Sequence, residues 1–524
     1  MNQVYAFHET VRGHLHILSE MPCEDSSISF SAEDGRYNIA IVADGHGSKS
    51  CYRSDVGSKT AADVALGCLK ELAEAALESK AAEDRFYNDM FSSPRYRKMM
   101  IRQLTDTIIA RWYNCVVEHF KSNPPSLEEI SGSTENDKNI VHIYGTTLIA
   151  ALKLPKCLIL IQQGDGRCDV FYEDGFVDQP IPWDARCQDT TTTSLCDEDA
   201  ADSFRSYVID LTDKPVMACY LGTDGIEDAY RDTYEGLGGS HSLMGGVHTF
   251  YKDLTCQLAV MGQVKFENYL KTMLPEFSAD GKFSRSGSGD DISVAGIVDV
   301  DIIQKFVERF QYDVKQYDLE EALYWKEDEL RSKTRKHGIL QKRVEEIQSA
   351  LKEEQIKQQS LEKELQQLRE KRQKFFEKVG HKRAELKACN QESLLVKERL
   401  DYDFRHIIMP IRHFFQEISV LQSSKEKAYD KMCKDLSIAD EQIKIREEKQ
   451  NLEVQKIREF EKKLAEAQAD FQEYDTKYQA IEAERIRIQN EIDLLHKRNQ
   501  VTYDMQLVSD RNTYKIGGKS WRLL

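Results

Sequence analysis

The sequence lacks any run of 18 apolar residues, so no membrane span is expected. Its opening segment, MNQVYAFHETVRGHLH, lacks the charged-then-apolar layout of a signal peptide, and a cytoplasmic protein is expected. No CxxC pair occurs among the 12 cysteines, and ten of them are scattered through the first 256 residues. Several, such as Cys68, Cys157 and Cys219, fall inside apolar runs, as small buried thiols in a reducing compartment do. No cysteine sits in the kind of glycine-rich loop with a nearby arginine that a cysteine phosphatase needs, so no thiolate nucleophile is expected. A basic stripe with interleaved aromatics is also missing from the first 300 residues, and the net charge of −17 argues against nucleic acid as the main ligand. Proline nearly vanishes late in the chain, where Pro410 is the only one after Asp318.

At 524 residues the chain is too long for one ordinary core, so two or more domains are expected. Residues 1–300 read as one α+β domain. β-rich runs occupy Val4–Thr10, Ser27–Ser31, Tyr37–Ala43, Gly145–Leu152, Cys157–Gln163, Asp169–Tyr172, Ser206–Leu211, Met217–Gly222 and Ile292–Val298. Helical patterns cover Asp55–Leu77 and Arg95–Phe120. Strand and helix blocks without regular alternation favour an α+β sandwich over a doubly wound sheet. Lys121–Asn139 and Gln179–Asp202 read as exposed loops.

From about residue 318 the composition shifts to Glu, Lys, Gln, Arg and Leu. A 4-3 spacing carries Leu340, Val344, Ile347, Leu351, Leu361, Leu365, Leu368, Phe375, Val379 and Leu386 through a first arm, residues 318–400. A second arm, 428–500, keeps phase through Leu436, Ala439, Ile443, Ile457, Phe460, Leu464, Ala467, Phe471, Ile481, Ile488 and Ile492. Such heptads predict a coiled coil. Between the arms, 401–427 is an apolar break around Pro410 with Ile407, Ile408, Phe414 and Phe415, the expected tip of an antiparallel hairpin or a contact with another chain. Folding back would set the region of Leu365 beside that of Ala467. Residues 501–524 lose the heptads and read as a tail with a hairpin around Ser509–Asn512 and Gly517–Gly518.

Acidic residues recur where the β-rich runs of the first domain end. They are Glu24 and Asp25, Asp44, Asp224, and Asp290 with Asp291. Carboxylates placed so can converge when strands share a sheet, and hard oxygen ligands suit Mg²⁺ or Mn²⁺. Asp44 is followed by Gly45-His46-Gly47, where glycine allows a sharp turn that brings a carbonyl toward an ion. A carboxylate at Asp44 can bridge two cations, with Asp224 and Asp290 on one ion and Glu24 and Asp25 toward the other. His46 stands close enough in sequence to protonate a leaving oxygen.

The segments CEDS (23–26), VADGHG (42–47), GTTLIAAL (145–152), GDGR (164–167), GTDG (222–225) and GDDISVAGIV (289–298) resemble, in order, the motifs of type 2C metal-dependent serine/threonine protein phosphatases, most of all their bacterial branches. The resemblance spans residues 1–300 and implies an αββα sandwich: two packed antiparallel sheets flanked by helices, with metals at one edge. It implies Asp44 as bridging ligand, Gly45 as carbonyl ligand, Asp224 and Asp290 on the other ion, and Glu24 with Asp25 as the acidic pair. Asp165 matches an additional, weaker metal site, and His46 the general acid. The nucleophile would be a metal-bridging water, and the substrate a phosphoprotein made by a serine/threonine kinase. Many members carry an arginine that grips the substrate phosphate where this chain has Glu20, and Arg12, His14 or His16 are the candidates to substitute, Arg12 and His16 foremost. Asp291 stands where asparagine is common. Beside an active enzyme stands a second reading, a phosphatase-like scaffold acting through its coiled coil.

Overall fold

A computed structural model describes residues 4–126, 140–187, 191–229, 243–279, 289–403 and 410–513. The chain forms two compact units, 1–323 together with 490–524, and 324–489.

The first unit holds two five-stranded antiparallel sheets. One has the order β1 (Val4–Val11), β10 (Ile292–Asp299), β9 (Val216–Gly222), β6 (Arg167–Tyr172), β7 (Val177–Asp178). The other runs β2 (Ser26–Ser31), β3 (Asn38–Ala43), β4 (Leu148–Lys153), β5 (Cys157–Gln163), β8 (Arg205–Asp210). Side-chain alternation explains why these strands read as nearly continuous apolar runs. In β3, Ala40 and Val42 face the opposite sheet, while Ile39, Ile41 and Ala43 face a helical layer. β4 splits the same way, with Ile149 and Ala151 between the sheets and Leu148, Ala150 and Leu152 under helices. Both faces are buried, so both must be apolar.

The helical layer over β3 and β4 consists of α2 (Ser54–Leu77), α3 (Lys80–Ser92) and α4 (Pro94–Ser122). Ser79 caps α3 by accepting the Ala82 N–H, and Ser93 caps α4 by accepting that of Tyr96, with Pro94 in the first turn. The other sheet is covered by α7 (Leu243–Met261), α8 (Gln263–Ala279), α9 (Val300–Ile303) and the start of α10 (Val307–Asp403). Phe310 and Tyr317 of α10 belong to that core. The globular unit therefore extends past residue 300, where the composition alone suggests it ends. Three short helices also belong to it among the described residues: α1 (His14–Leu18), α5 (Ala200–Ser203) and α6 (Asp224–Glu227). This is the αββα sandwich.

In the second unit α10 and α11 (Pro410–Thr513) pair antiparallel. Lys326 pairs with Glu484, His337 with Asp475, Glu364 with Arg446 and Arg372 with Asp440, and Asn390 with Gln422, so one partner rises in number as the other falls. Leu365, Ala439, Ile443, Ile457, Ala467, Ile481 and Ile488 are buried, the residues singled out by the heptad spacing. The register differs from the sequence expectation, because the region of Leu365 meets Arg446 and not Ala467. The reason is that α11 already begins at Pro410, whose fixed φ and missing N–H suit a first helical turn, so the pairing centres earlier in the chain than the sequence expectation placed it. The expected apolar tip (Ile407, Ile408, Phe414, Phe415) lies outside the described residues and side chains. α11 continues to Thr513, so Ser509–Asn512 are helical rather than a hairpin, and the rest of the tail lies outside the described residues. No described helix is long and apolar enough to cross a membrane.

Candidate metal centre

Antiparallel pairing brings the acidic residues to one edge of the sandwich. Ser26 pairs with Ala43, which places Asp25 at the start of β2 beside Asp44 at the end of β3. Val294 and Arg167 both pair with Gly222, which sets Asp290, Asp165 and Asp224 at the matching edge of the other sheet. Carboxylate oxygens of Asp44, Asp165 and Asp224 lie within 4.8 Å of one another. Around them opens a cleft of about 610 Å³, lined also by His16, Glu24, Asp25, Gly45, His46 and Asp290.

Backbone contacts fix the two sides of this edge. The Asp44 carbonyl accepts the Thr147 N–H and the Thr146 hydroxyl, each at 2.8 Å. Gly45 donates its N–H to the Glu24 carbonyl at 3.1 Å. A Cβ at Gly45 would stand 2.5 Å from that carbonyl oxygen and 2.8 Å from that of Ser54, so only glycine fits. Glu24 Oε1 accepts the Ser54 hydroxyl at 2.8 Å, while its Oε2 is buried without a hydrogen bond. Asp165 Oδ1 is likewise buried and unbonded. Asp25 accepts the Thr223 hydroxyl at 2.8 Å, and the Thr223 oxygen accepts the Ser293 N–H at 3.0 Å.

Burial and mutual repulsion push these carboxyls upward in pKa. Asp224 rises to about 8, by burial first and then the charge of Asp165. Glu24 rises to about 7, chiefly by burial. Asp25 and Asp44 stand well above the usual range for the same cause, with neighbouring aspartates adding to it, and Asp290 is raised too. Orphaned oxygens and crowded carboxyls are the donor set that hard divalent cations fit. His46 is shifted the other way, to about 4, by burial and then by His142.

Of the residues expected to replace the missing arginine, His16 lines the cleft, and Arg12 and His14 do not. His16 Nδ1 is 3.0 Å from Asp291, and its Nε2 is 3.8 Å from Asp290 and 3.9 Å from Glu24. Arg12 donates to the His16 carbonyl at 2.9 Å. Asp291 is structural: it accepts the backbone N–H groups of Gly13 and Glu24.

The protein phosphatase 2C family profile matches residues 12–274, half of the chain. The chain belongs to the protein phosphatase 2C family. Among solved structures it is similar to a bacterial serine phosphatase (14% identity, 57% of this chain and 98% of that one, TM-score 0.32). It is also similar to the serine/threonine phosphatase Stp1 from Staphylococcus aureus (15%, 57% and 95%, TM-score 0.30). A C. elegans sex determining protein gives 13% identity over 59% of this chain and 68% of that one, with a TM-score of 0.35. No curated protein matches.

One wall of the cleft is absent from the sequence expectations. Ser48, Ser50, Cys51, His142, Thr191, Thr192, Ser194, Cys196 and Asp197 line it. Part of this wall comes from Gln179–Asp202, the segment its polarity marks as an exposed loop. Instead Thr193, Ser194, Leu195 and Cys196 are buried, because Leu195 donates its N–H to the Thr146 carbonyl and Ser194 Oγ accepts the Thr146 N–H.

Proposed function

We propose that this protein phosphatase 2C member is an active, metal-dependent serine/threonine phosphatase that hydrolyses phosphoprotein monoesters. One observation carries the reading: the cleft is lined by eight carboxylates and, among the described residues, by no lysine or arginine. A phosphate dianion would be repelled from such a cleft unless cations neutralise it first. Asp44, Asp165 and Asp224 would hold them, with Glu24, Asp25, Asp290 and the Gly45 carbonyl completing the donor set. Bound Mg²⁺ or Mn²⁺, two ions with a third near Asp165, would supply positive charge for the phosphoryl group and an activated water.

The chain's own side chains do the rest. Asp25, held by Thr223, and Glu24, held by Ser54, keep the donor set in place. His46 is neutral in the free protein, so its role as general acid requires the bound phosphate to raise its proton affinity. The globular unit, which runs past residue 300 to about residue 323, would form the catalytic domain, and the hairpin would select partners or self-associate. The setting would be cytoplasmic signalling, opposite a serine/threonine kinase.

Glu20 and the lack of a lysine or arginine among the described cleft residues favour a second reading, a scaffold with weak or no turnover. Mn²⁺-dependent phosphate release from a phosphothreonine peptide separates the two, since only the enzyme reading predicts turnover that EDTA abolishes.

A further inference from the structure

A second cluster of reactive side chains stands on the wall of the same cleft. Cys51 lies just before α2, Cys196 in a turn before α5, and His142 opens the short 3₁₀ turn His142–Tyr144. The imidazole is in reach of both thiols: Cys51 Sγ is 4.0 Å from Nε2, and Cys196 Sγ is 3.7 Å from Nδ1. Gly145 lets them approach, since the point where its Cβ would stand is 3.3 Å from Cys51 Sγ and 3.2 Å from Cys196 Sγ. Ser194 Oγ is 3.2 Å from the Cys196 sulfur.

The chemistry of this group differs from that of the metal centre. Burial raises the Cys196 thiol to about 11, so it stays protonated at neutral pH unless a base is at hand. A neutral imidazole accepts a proton at one nitrogen and donates one from the other. His142 can therefore deprotonate one thiol while its N–H supports the other sulfur, and the thiolate is the form that oxidants attack. Cys168 and Cys219 are a useful contrast. Their sulfurs are 3.9 Å apart, yet both are shut between the sheets and neither lines the cleft.

We propose that Cys51 and Cys196 form a reversible disulfide in the presence of peroxide, started by His142, and that this bond shuts down the cleft. His142 takes the proton from the Cys196 thiol. The thiolate attacks hydrogen peroxide, the O–O bond breaks, and the departing hydroxide takes the imidazolium proton to leave as water. The resulting sulfenic acid is attacked by the Cys51 sulfur, which forms the S–S bond and releases a second water. Two thiols lose two electrons and one peroxide becomes two waters. Neither cysteine lies on a strand or helix, so both turns can shift to the bond length of about 2.05 Å. The bond would tie the segment between His46 and the start of α2 to the wall carrying Thr191, Thr192 and Ser194. Its effect on turnover rests on the phosphatase reading; its formation does not.

The test uses the reduced full chain. After exposure to hydrogen peroxide, remaining thiols are blocked and the protein is digested without reductant for mass spectrometry. A peptide joining Cys51 to Cys196 is expected, absent after dithiothreitol and in Cys51→Ser or Cys196→Ser, and forming about tenfold or more slowly in His142→Ala. Mn²⁺-dependent phosphate release should fall with the linked fraction and return with dithiothreitol. Thiol loss without that peptide would overturn the site. A linked chain that keeps its full rate would overturn the regulation. A reduced chain with no turnover would sink the phosphatase reading while leaving the peptide map as a test of the bond.

Discussion

The Asp291 carboxylate accepts the backbone N–H of Glu24 at 2.5 Å, tying the strand ends of the two sheets together behind the acidic centre. Its other oxygen accepts the Gly13 N–H at 2.6 Å. Asp291→Asn would leave one of these N–H groups facing an amide NH₂. The expected loss is about 1–3 kcal/mol, as for other hydrogen bonds to a charged group. Urea unfolding followed by tryptophan fluorescence would measure it, and an unchanged midpoint would show that the clamp is dispensable.

Stability of the metal-free chain should fall as pH rises. Glu24 and Asp224 bind protons more tightly when folded, at about 7 and about 8 against ordinary values of 4.5 and 3.8. Their contribution is fully present below about pH 4 and is lost as pH climbs through 7 and 8, where ionised carboxylates crowd together. Mn²⁺ should reverse the trend, stabilising more at pH 8 than at pH 5. Thermal melts with and without the ion give the comparison; a metal-induced shift that does not grow with pH would contradict the placement of these carboxyls.

His46→Ala should slow hydrolysis of a phosphothreonine peptide by about 10²–10⁴. The loss should shrink on p-nitrophenyl phosphate, whose leaving group needs no proton. Equal losses on both substrates would remove His46 as the acid. Isothermal titration with Mn²⁺ should find the ion bound as in the parent chain.

Within the hairpin, Glu364→Cys with Arg446→Cys should crosslink inside one chain at any dilution, because these residues already form an ion pair at 3.1 Å. Leu365→Cys with Ala467→Cys should not. Crosslinks found only between chains would reject the antiparallel hairpin.

Much of this molecule is legible in its sequence, and for definite reasons. Strands β3, β4 and β5 are buried on both faces, so their apolar runs stand out. The heptads of both arms hold phase, so the seam residues can be named. Asp44, Asp165 and Asp224 are marked by glycines that their turns require. The two-residue β7 carries too little pattern to be seen. His142, Cys51 and Cys196 escape notice because they come from separate turns with no period, and their meeting depends on Gly145. The segment around Ser194 is polar, yet its polar groups are satisfied by Thr146 and Gln163 in the interior, a pairing that composition does not reveal.

The central claim is that the carboxylate cluster serves metal-dependent phosphomonoester hydrolysis. Phosphate release from a phosphothreonine peptide, with Mn²⁺ and with excess EDTA, tests it most directly in the parent chain, Asp44→Asn and Asp224→Asn. The account predicts turnover that needs Mn²⁺, vanishes with EDTA, and is lost in both variants, most completely in Asp44→Asn. Full activity in EDTA, or in Asp44→Asn, would contradict it.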